Sequence, residues 1–283
     1  MKKLVTLSNI EYIKDFKKYN IDGIIIGLNN VSCRFNTYYN ISDIQPIIDE
    51  GLDVYININR IIHEDNLIYI NDILYKLKDY NISGIFFNDL SIITLAKQYN
   101  LLNKLIYNPD TLLTNKYDIN FYMDYGLLST VISKEITLDE ILNILKVCSN
   151  QSLIIHGRLN MSYSKRQFIK SYLKYINLDH PINNNYNLSL IESTRDYKMP
   201  IIEDQYGCSI FTDFTLYSID EYNILSLNNL GYGIIDDIFM GYNELIDTLK
   251  LYDNKIDKHL FLDTYQSSNY STGYYYQETN LVK

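Results

Sequence analysis

Seven short apolar runs recur along the first 157 residues, and each is followed by a stretch with helical spacing. They are LVTL (4–7), GIIIGL (23–28), VYININ (54–59), GIFFND (84–89), KLIYN (104–108), TVIS (130–133) and LIIHG (153–157). Strands this continuously apolar are buried on both faces, which requires a parallel sheet with helices packed against it. The intervening segments carry helix punctuation. SNIEYIKDFKKY opens with Ser8 as an N-cap, and ISDIQPIIDEG stops at Gly51. Leu67, Ile70, Ile73, Leu74 and Leu77 share one helical face. Thr137 and Glu140 have the spacing of a capping box.

Seven such units favour a (β/α) TIM-barrel-like parallel barrel over an open doubly wound sheet. No GxGxxG follows the first strand to support a dinucleotide fold. After residue 175 the pattern loosens into a polar loop, short strands around a Gly207 turn, a helix ending on Gly231 and further helix. TGYYYQETNLVK reads as a final strand. With no Gly/Ser linker and no internal repeat, residues 1–283 read as a single α/β domain. Its barrel core reaches to about residue 235, and a short α+β C-terminal extension occupies about 236–283.

Apolar residues make up 47% of the 283 and charged residues 21%, a globular balance. The net charge of −9 argues against gripping a nucleic-acid backbone through the global field, although a local basic patch is compatible with it. Glu11, Lys14 and Asp15 interrupt what would be the apolar core of a signal peptide. No apolar run approaches the ~18 residues of a membrane span. Cys33, Cys148 and Cys208 form no CxxC pair and no metal-ligand spacing, so a reducing cytoplasm is the expected compartment, with no metal. The 29 tyrosines and no tryptophan reflect a biased composition, so GYYYQ is read as packing rather than as a base-stacking platform.

Catalytic groups of a barrel sit where strands end and loops begin. Here those places hold Asn59, Asp89, Asn108, Glu135 and His156, with Arg34 in the loop after the second strand. A guanidinium, several amides, two carboxylates and an imidazole suit an anionic, oxygen-rich small molecule. Such residues also occur wherever a buried strand leaves the core. His156 reads as a base, a ligand or a structural histidine, and no HxH, HExxH or GxSxG accompanies it. Lys165 and Arg166 form a small basic spot that suits a phosphate, a partner carboxylate or plain solvent.

HGRLNMSYSKRQF (156–168) resembles the signature of the peptidase U32 family, also called collagenase-like proteases. There a His-Gly precedes a Cys, a Ser-Tyr-Ser, a small or basic pair and a second Cys. VSCRFN around Arg34, VYININ with His63-Glu64, GIFFNDLSII ending near Asp89 and IYNPDTLLTN with Asn115 resemble successive family segments. So do VISKEITLDEI with Glu135, ESTRDYK with Arg195 and the terminal TGYYYQETNLVK, all in the family's order. The resemblance implies the family's barrel-like core. It implies His156, Glu135 and Asp89 as catalytic candidates. It also implies Arg34, Asn59, Asn115, Arg166 and Arg195 as substrate-binding ones, with Arg34 and Arg195 meeting carboxylates.

Family members with known chemistry hold an iron–sulfur cluster on four cysteines. Asn160, Gln167 and Tyr217 stand at three of those places, and the stretch carrying the remaining ligand is absent between 175 and 190. A cluster is therefore not expected. The resemblance implies an accessory, non-catalytic subunit in prephenate-linked hydroxylation of tRNA wobble uridine to 5-hydroxyuridine. A longer cysteine-bearing U32 subunit would be its partner, reaching tRNA, and a carboxylated metabolite such as prephenate its ligand. A collagenase-like peptidase of unassigned mechanism and a ligand-free scaffold are the alternatives.

Overall fold

The computed structural model describes residues 1–179, 182, 187–193 and 197–278. Arg195 lies outside the described residues. The strands are β1 (Lys2–Thr6), β2 (Gly23–Leu28), β3 (Tyr38–Tyr39), β4 (Asp53–Ile58), β5 (Gly84–Phe87), β6 (Leu105–Tyr107) and β7 (Ser129–Thr130). Then come β8 (Ser152–Ser164), β9 (Ser189–Leu190), β10 (Met199–Asp204), β11 (Gly207–Tyr217), β12 (Tyr232–Ile235) and β13 (Tyr270–Ser271).

Eight of these run parallel in the order β7-β6-β5-β4-β2-β1-β12-β8. The sheet curls until Val131, just past β7, meets Ser152 at the start of β8. That seam is one isolated bridge and not a ladder, so the expected closed barrel is realised as a curled, mainly parallel sheet. Beyond β8 the sheet continues antiparallel through β11, β10 and β9.

Strand alternation explains the continuous apolar runs. Leu4, Ile25, Tyr55, Phe86, Ile106, Val131 and Ile234 form one buried cluster. Their neighbours Val5, Ile24, Ile56, Ile85 and Ile235 belong to a second, which includes the buried faces of the helices. Helix Leu67–Leu77 buries Ile70, Ile73, Leu74 and Leu77. Helix Leu138–Leu145 starts on the anticipated box: the Thr137 hydroxyl accepts from the Glu140 amide at 3.3 Å, and the Glu140 carboxylate accepts from the Thr137 amide at 2.8 Å. Helices Tyr242–Tyr252 and Lys258–Thr264 follow β12, and Leu245 and Leu249 enter the larger cluster.

Four local expectations change. The N-cap of the first helical segment is Asn9, whose side chain accepts from the Glu11 amide at 3.0 Å, while Ser8 turns its hydroxyl to Asp237. YGII, between Gly231 and Asp236, is the eighth parallel strand, inserted between β1 and β8. Among the described residues the last strand is Tyr270–Ser271, ahead of GYYYQ, and residues 279–283 of the expected terminal strand lie outside them. Within GYYYQ, Tyr275 is buried and shares a hydrogen bond with the Ser218 hydroxyl at 2.9 Å. Finally, LIIHG is only the first part of a thirteen-residue strand.

The length of β8 rests on Gly157. Its φ is +128°, and a Cβ there would stand 2.6 Å from the Asp236 carbonyl oxygen. Gly157→Ala combines a conformation costly for L-residues, ~1–2 kcal/mol, with overpacking against backbone, ~1–3 kcal/mol. Urea denaturation should show a loss of roughly 2–5 kcal/mol, and an unchanged midpoint would mean the strand has room to move.

Candidate functional site

The carboxyl ends of the parallel strands surround a cavity of about 60 Å³, lined among others by Thr6, Arg34, Asn59, Asn108, Asp110, Lys134, Arg158, Asn160 and Asp236. Arg34 is placed by an unusual loop. Its φ is +65°, which a non-glycine residue adopts at a cost. The carboxamide of Asn59, itself buried, fixes the preceding residue: its oxygen accepts from the Cys33 amide at 2.8 Å and its nitrogen donates to the Cys33 carbonyl at 3.0 Å. The Ser32 hydroxyl accepts from the Leu28 amide at 2.7 Å. The loop thus stays tied to β2 and β4 while turning Arg34 inward.

Arg34 then meets an internal carboxylate. Asp110 lies 3.5 Å from the guanidinium and 3.5 Å from the Lys134 ammonium. Arg34 also lies 5.1 Å over the Tyr163 ring. The Asn160 amide places its oxygen 3.0 Å from Arg34 and its nitrogen 3.1 Å from the Ser162 carbonyl; reversed, it would make only a 3.4 Å contact with Asp110. Burial works against the Asp110 carboxylate, but Arg34 and Lys134 outweigh it and hold its pKa below the ordinary value. Burial, with the Arg34 charge adding to it, lowers the pKa of Lys134 despite Asp110.

Asp236 follows β12 directly. Burial, with Asp237 beside it, raises its pKa to about 7. The Ile238 amide donates to it at 3.1 Å, and the Thr6 hydroxyl donates to Asp237 at 2.7 Å. The cavity therefore holds two cations, Arg34 and Lys134, one ionised carboxylate and one carboxyl that titrates near neutrality, while the Arg158 guanidinium turns to the Thr212 carbonyl and toward Asp213 and Glu244. Such a set attracts an anion and offers a group able to give or take a proton.

The other anticipated residues lie elsewhere or face outward. His156 is fully buried on the opposite face of β8, among Tyr252, Phe261 and Tyr270, with Nε2 3.4 Å from the Thr248 hydroxyl. A bulge turns it there: Ile234 pairs with Ile154 but Ile235 with His156, so β8 gains one residue. Burial lowers its imidazole pKa to about 3. Asp89 accepts from the Ser91 amide at 2.9 Å at the start of helix Ser91–Lys97. Asn115 caps helix Lys116–Tyr125 through the Tyr117 and Asp118 amides. Glu135 is exposed, its amide drawn to the Ser133 hydroxyl at 3.1 Å, and Lys134 takes the inward place. Arg166 is exposed.

Asp110, Lys134 and Asp236 are the charged groups of the cavity that strand-end reasoning missed, along with the polar Thr6 and Asn57. Lys134 and Asp110 sit one and two residues from the chosen Glu135 and Asn108. Asp236 had a signal in the acidic pair after an apolar run, visible once YGII is read as a strand.

The stand-ins for cluster ligands do not form one site. Asn160 is in the cavity, the Gln167 amide donates to the Asp204 carbonyl at 3.0 Å, and Tyr217 packs on Tyr270 and Phe261 in another cluster. The three thiols are buried apart, and burial raises the pKa of each, Cys208 to about 12. Neither set fits an iron–sulfur cluster, which needs convergent thiolates. Among the described residues, no group of three or more His, Cys, Asp or Glu is placed to hold a metal ion. No helix among them is long and apolar enough to cross a membrane.

The His-Gly signature lies in the long strand β8 of a curled parallel sheet whose strand ends surround the cavity. The chain belongs to peptidase family U32, whose model matches residues 8–279. Among its relatives, tRNA hydroxylation protein P2 of Bacillus subtilis (strain 168) is 26% identical over 262 residues, covering 90% of this chain and 85% of that protein. tRNA hydroxylation protein P1 of the same organism is 25% identical over 60% of this chain and 42% of its own length. An uncharacterized protease of Methanocaldococcus jannaschii is 24% identical over 59% of this chain and 43% of its own length.

Proposed function

We propose that this chain acts in tRNA hydroxylation as an accessory subunit without a cluster of its own, beside a longer, cysteine-bearing U32 protein. The observation that carries this reading is the nearly end-to-end match to a protein named for tRNA hydroxylation, against a match to less than half of its P1 counterpart. The separated Asn160, Gln167 and Tyr217 agree with a cofactor-free role. In this reading the product is 5-hydroxyuridine at the wobble position, formed in the cytoplasm with prephenate as the linked metabolite.

Arg34 and Lys134 supply the charge for a carboxylated ligand. Asn59 positions the Arg34 loop, and Asp236 is better placed than His156, Asp89 or Glu135 to exchange a proton with it. The cavity is well under the ~300 Å³ of an ordinary ligand pocket. A metabolite therefore enters only if lining side chains move apart.

Nucleoside mass spectrometry of bulk tRNA from a strain lacking the gene tests the reading. Hydroxylated uridines should disappear and return with the gene in trans. An unchanged profile sinks the proposal, and cleavage of gelatin or casein by the purified chain would then support the peptidase reading. That reading has to explain a His156 imidazole enclosed by aromatic rings and kept neutral.

A further inference from the structure

Charge is unevenly distributed along this acidic chain. Residues 141–178 contain six of its 25 lysines and arginines and none of its 34 acidic residues. Four of the six, Lys165, Arg166, Lys170 and Lys174, fall in and just before helix Phe168–Tyr175. That helix buries no residue. Ile169 and Leu173, the half-buried ones, turn toward the body. Phe168, Tyr172 and Tyr175 follow i, i+4, i+7 along one flank, and Lys170 and Lys174 follow i, i+4 along the other. Tyr172 is 60% exposed, Tyr175 84% and Phe168 51%, high values for rings that normally bury.

The helix is nonetheless held in place. The carboxylate of Glu203, itself 1% exposed on β10, accepts from the Ile169 and Lys170 amides at 2.7 and 2.9 Å. It also continues the strand that lines the cavity, since β8 carries Arg158 and Asn160 before reaching Ser164. The helix is thus anchored on β10 and starts four residues beyond the end of the strand that lines the cavity.

We infer that the segment Lys165–Tyr175 is the surface on which unpaired RNA docks, its basic flank on phosphates and its aromatic flank against bases. This rests on the tRNA reading for its occupant, and it names the face of the chain that the RNA meets. The chemistry favours RNA over a protein partner. Lysine is depleted from protein interfaces, whereas exposed aromatics beside cations are what unpaired bases and their phosphates require. A two-turn helix is also short for lying in a membrane surface, where a longer amphipathic face is usual.

The test uses the purified full chain and fluorescence anisotropy with two labelled probes: an RNA hairpin with an unpaired loop and a fully paired RNA of the same length. The wild type should prefer the hairpin. The combined substitution Lys165→Gln, Arg166→Gln, Lys170→Gln and Lys174→Gln should weaken binding at least tenfold. It should also flatten the slope of log affinity against log salt by about 3, since each phosphate contact contributes roughly 0.7–0.9. Tyr172→Ala with Tyr175→Ala should weaken hairpin binding about tenfold or more and leave the duplex unaffected. All six side chains are at least partly exposed, so circular dichroism should stay unchanged.

Hairpin affinity unchanged in both variants overturns the inference, as does a wild type that ignores both RNAs. Binding to phosphatidylglycerol vesicles without RNA binding assigns the face to membrane and also overturns it. Loss of co-purification with a cysteine-bearing U32 protein, at unchanged RNA affinity, assigns it to that partner and overturns it too. The tRNA reading fails separately, through an unchanged nucleoside profile in the deletion strain.

Discussion

Asp236→Asn should stabilise the protein at pH 8 by about 3–4 kcal/mol. The carboxyl at 236 keeps its proton up to about pH 7, against an unfolded value near 3.8. Below pH 3.8 both states are protonated and the group has no net effect. As pH rises from 3.8 through 7 the unfolded chain releases the proton and the native chain does not. Stability then falls by about 1.4 kcal/mol per pH unit. Asparagine mimics the protonated acid and still accepts from the Ile238 amide, so it removes that loss.

His156 has the opposite sign. Its folded pKa of about 3 lies below the unfolded 6.5, so its contribution is complete above pH 6.5 and lost as pH falls toward 3. The two slopes cancel between about pH 4 and 6.5, where the pair leaves the wild-type curve nearly flat. Asp236→Asn should expose the His156 slope, with stability rising from pH 4.5 to 6.5. His156→Phe should expose the Asp236 slope, with stability falling over the same range. Urea midpoints at pH 4.5, 6.5 and 8 read both. Comparing variant with wild type cancels the other carboxylates. If the Asp236→Asn curve parallels the wild type at every pH, the carboxyl at 236 is ionised and solvated, and the argument is wrong.

This pair also marks where sequence reasoning reached and where it stopped. Apolar continuity was enough to place seven parallel strands, because both faces of each are buried and the pattern leaves no other use for such runs. Capping at Thr137–Glu140 was equally legible, being local chemistry. YGII was not, because four residues carry too little periodicity to separate a strand from a loop. Missing it hid Asp236.

His156 was misplaced in space for a related reason. Alternation along LIIHG assumes an even ladder, and one extra residue in β8 opposite β12 turns the ring away from the cavity into the packing of the helices behind it. Bulges are set by pairing with a partner strand far away in sequence, so the strand's own residues do not announce them. Arg34 was found because a lone guanidinium after a strand is conspicuous. Its carboxylate partner was missed because Asp110 lies 76 positions away and only the curl of the sheet brings them together.

Asp110→Asn should destabilise the protein by about 3 kcal/mol. Removing one member of a buried charge set costs roughly 3–5 kcal/mol, because the remaining charges lose their counter-ion without regaining water. Here two cations are stranded. The Lys134 side chain is 5% exposed and that of Arg34 is 10% exposed, while that of Asp110 is 26% exposed, which puts the cost at the lower end. Lys134→Met in the Asp110→Asn background should recover part of the loss, with a coupling of ~0.5–3 kcal/mol in a double-mutant cycle. The site also makes a prediction for ligands. The carboxylate that Arg34 was expected to take from a metabolite is already supplied by Asp110. In Asp110→Gly, which also empties the space of the side chain, formate or acetate can take its place and should raise the variant's urea midpoint in proportion to RT ln(1 + [L]/Kd) while leaving the wild type unmoved. Rescue by these anions would show that the cavity recognises a carboxylate as such and that Asp110 competes with any incoming one. Full loss of stability without rescue would mean that Asp110 serves the fold alone, and a metabolite site would have to be sought away from Arg34.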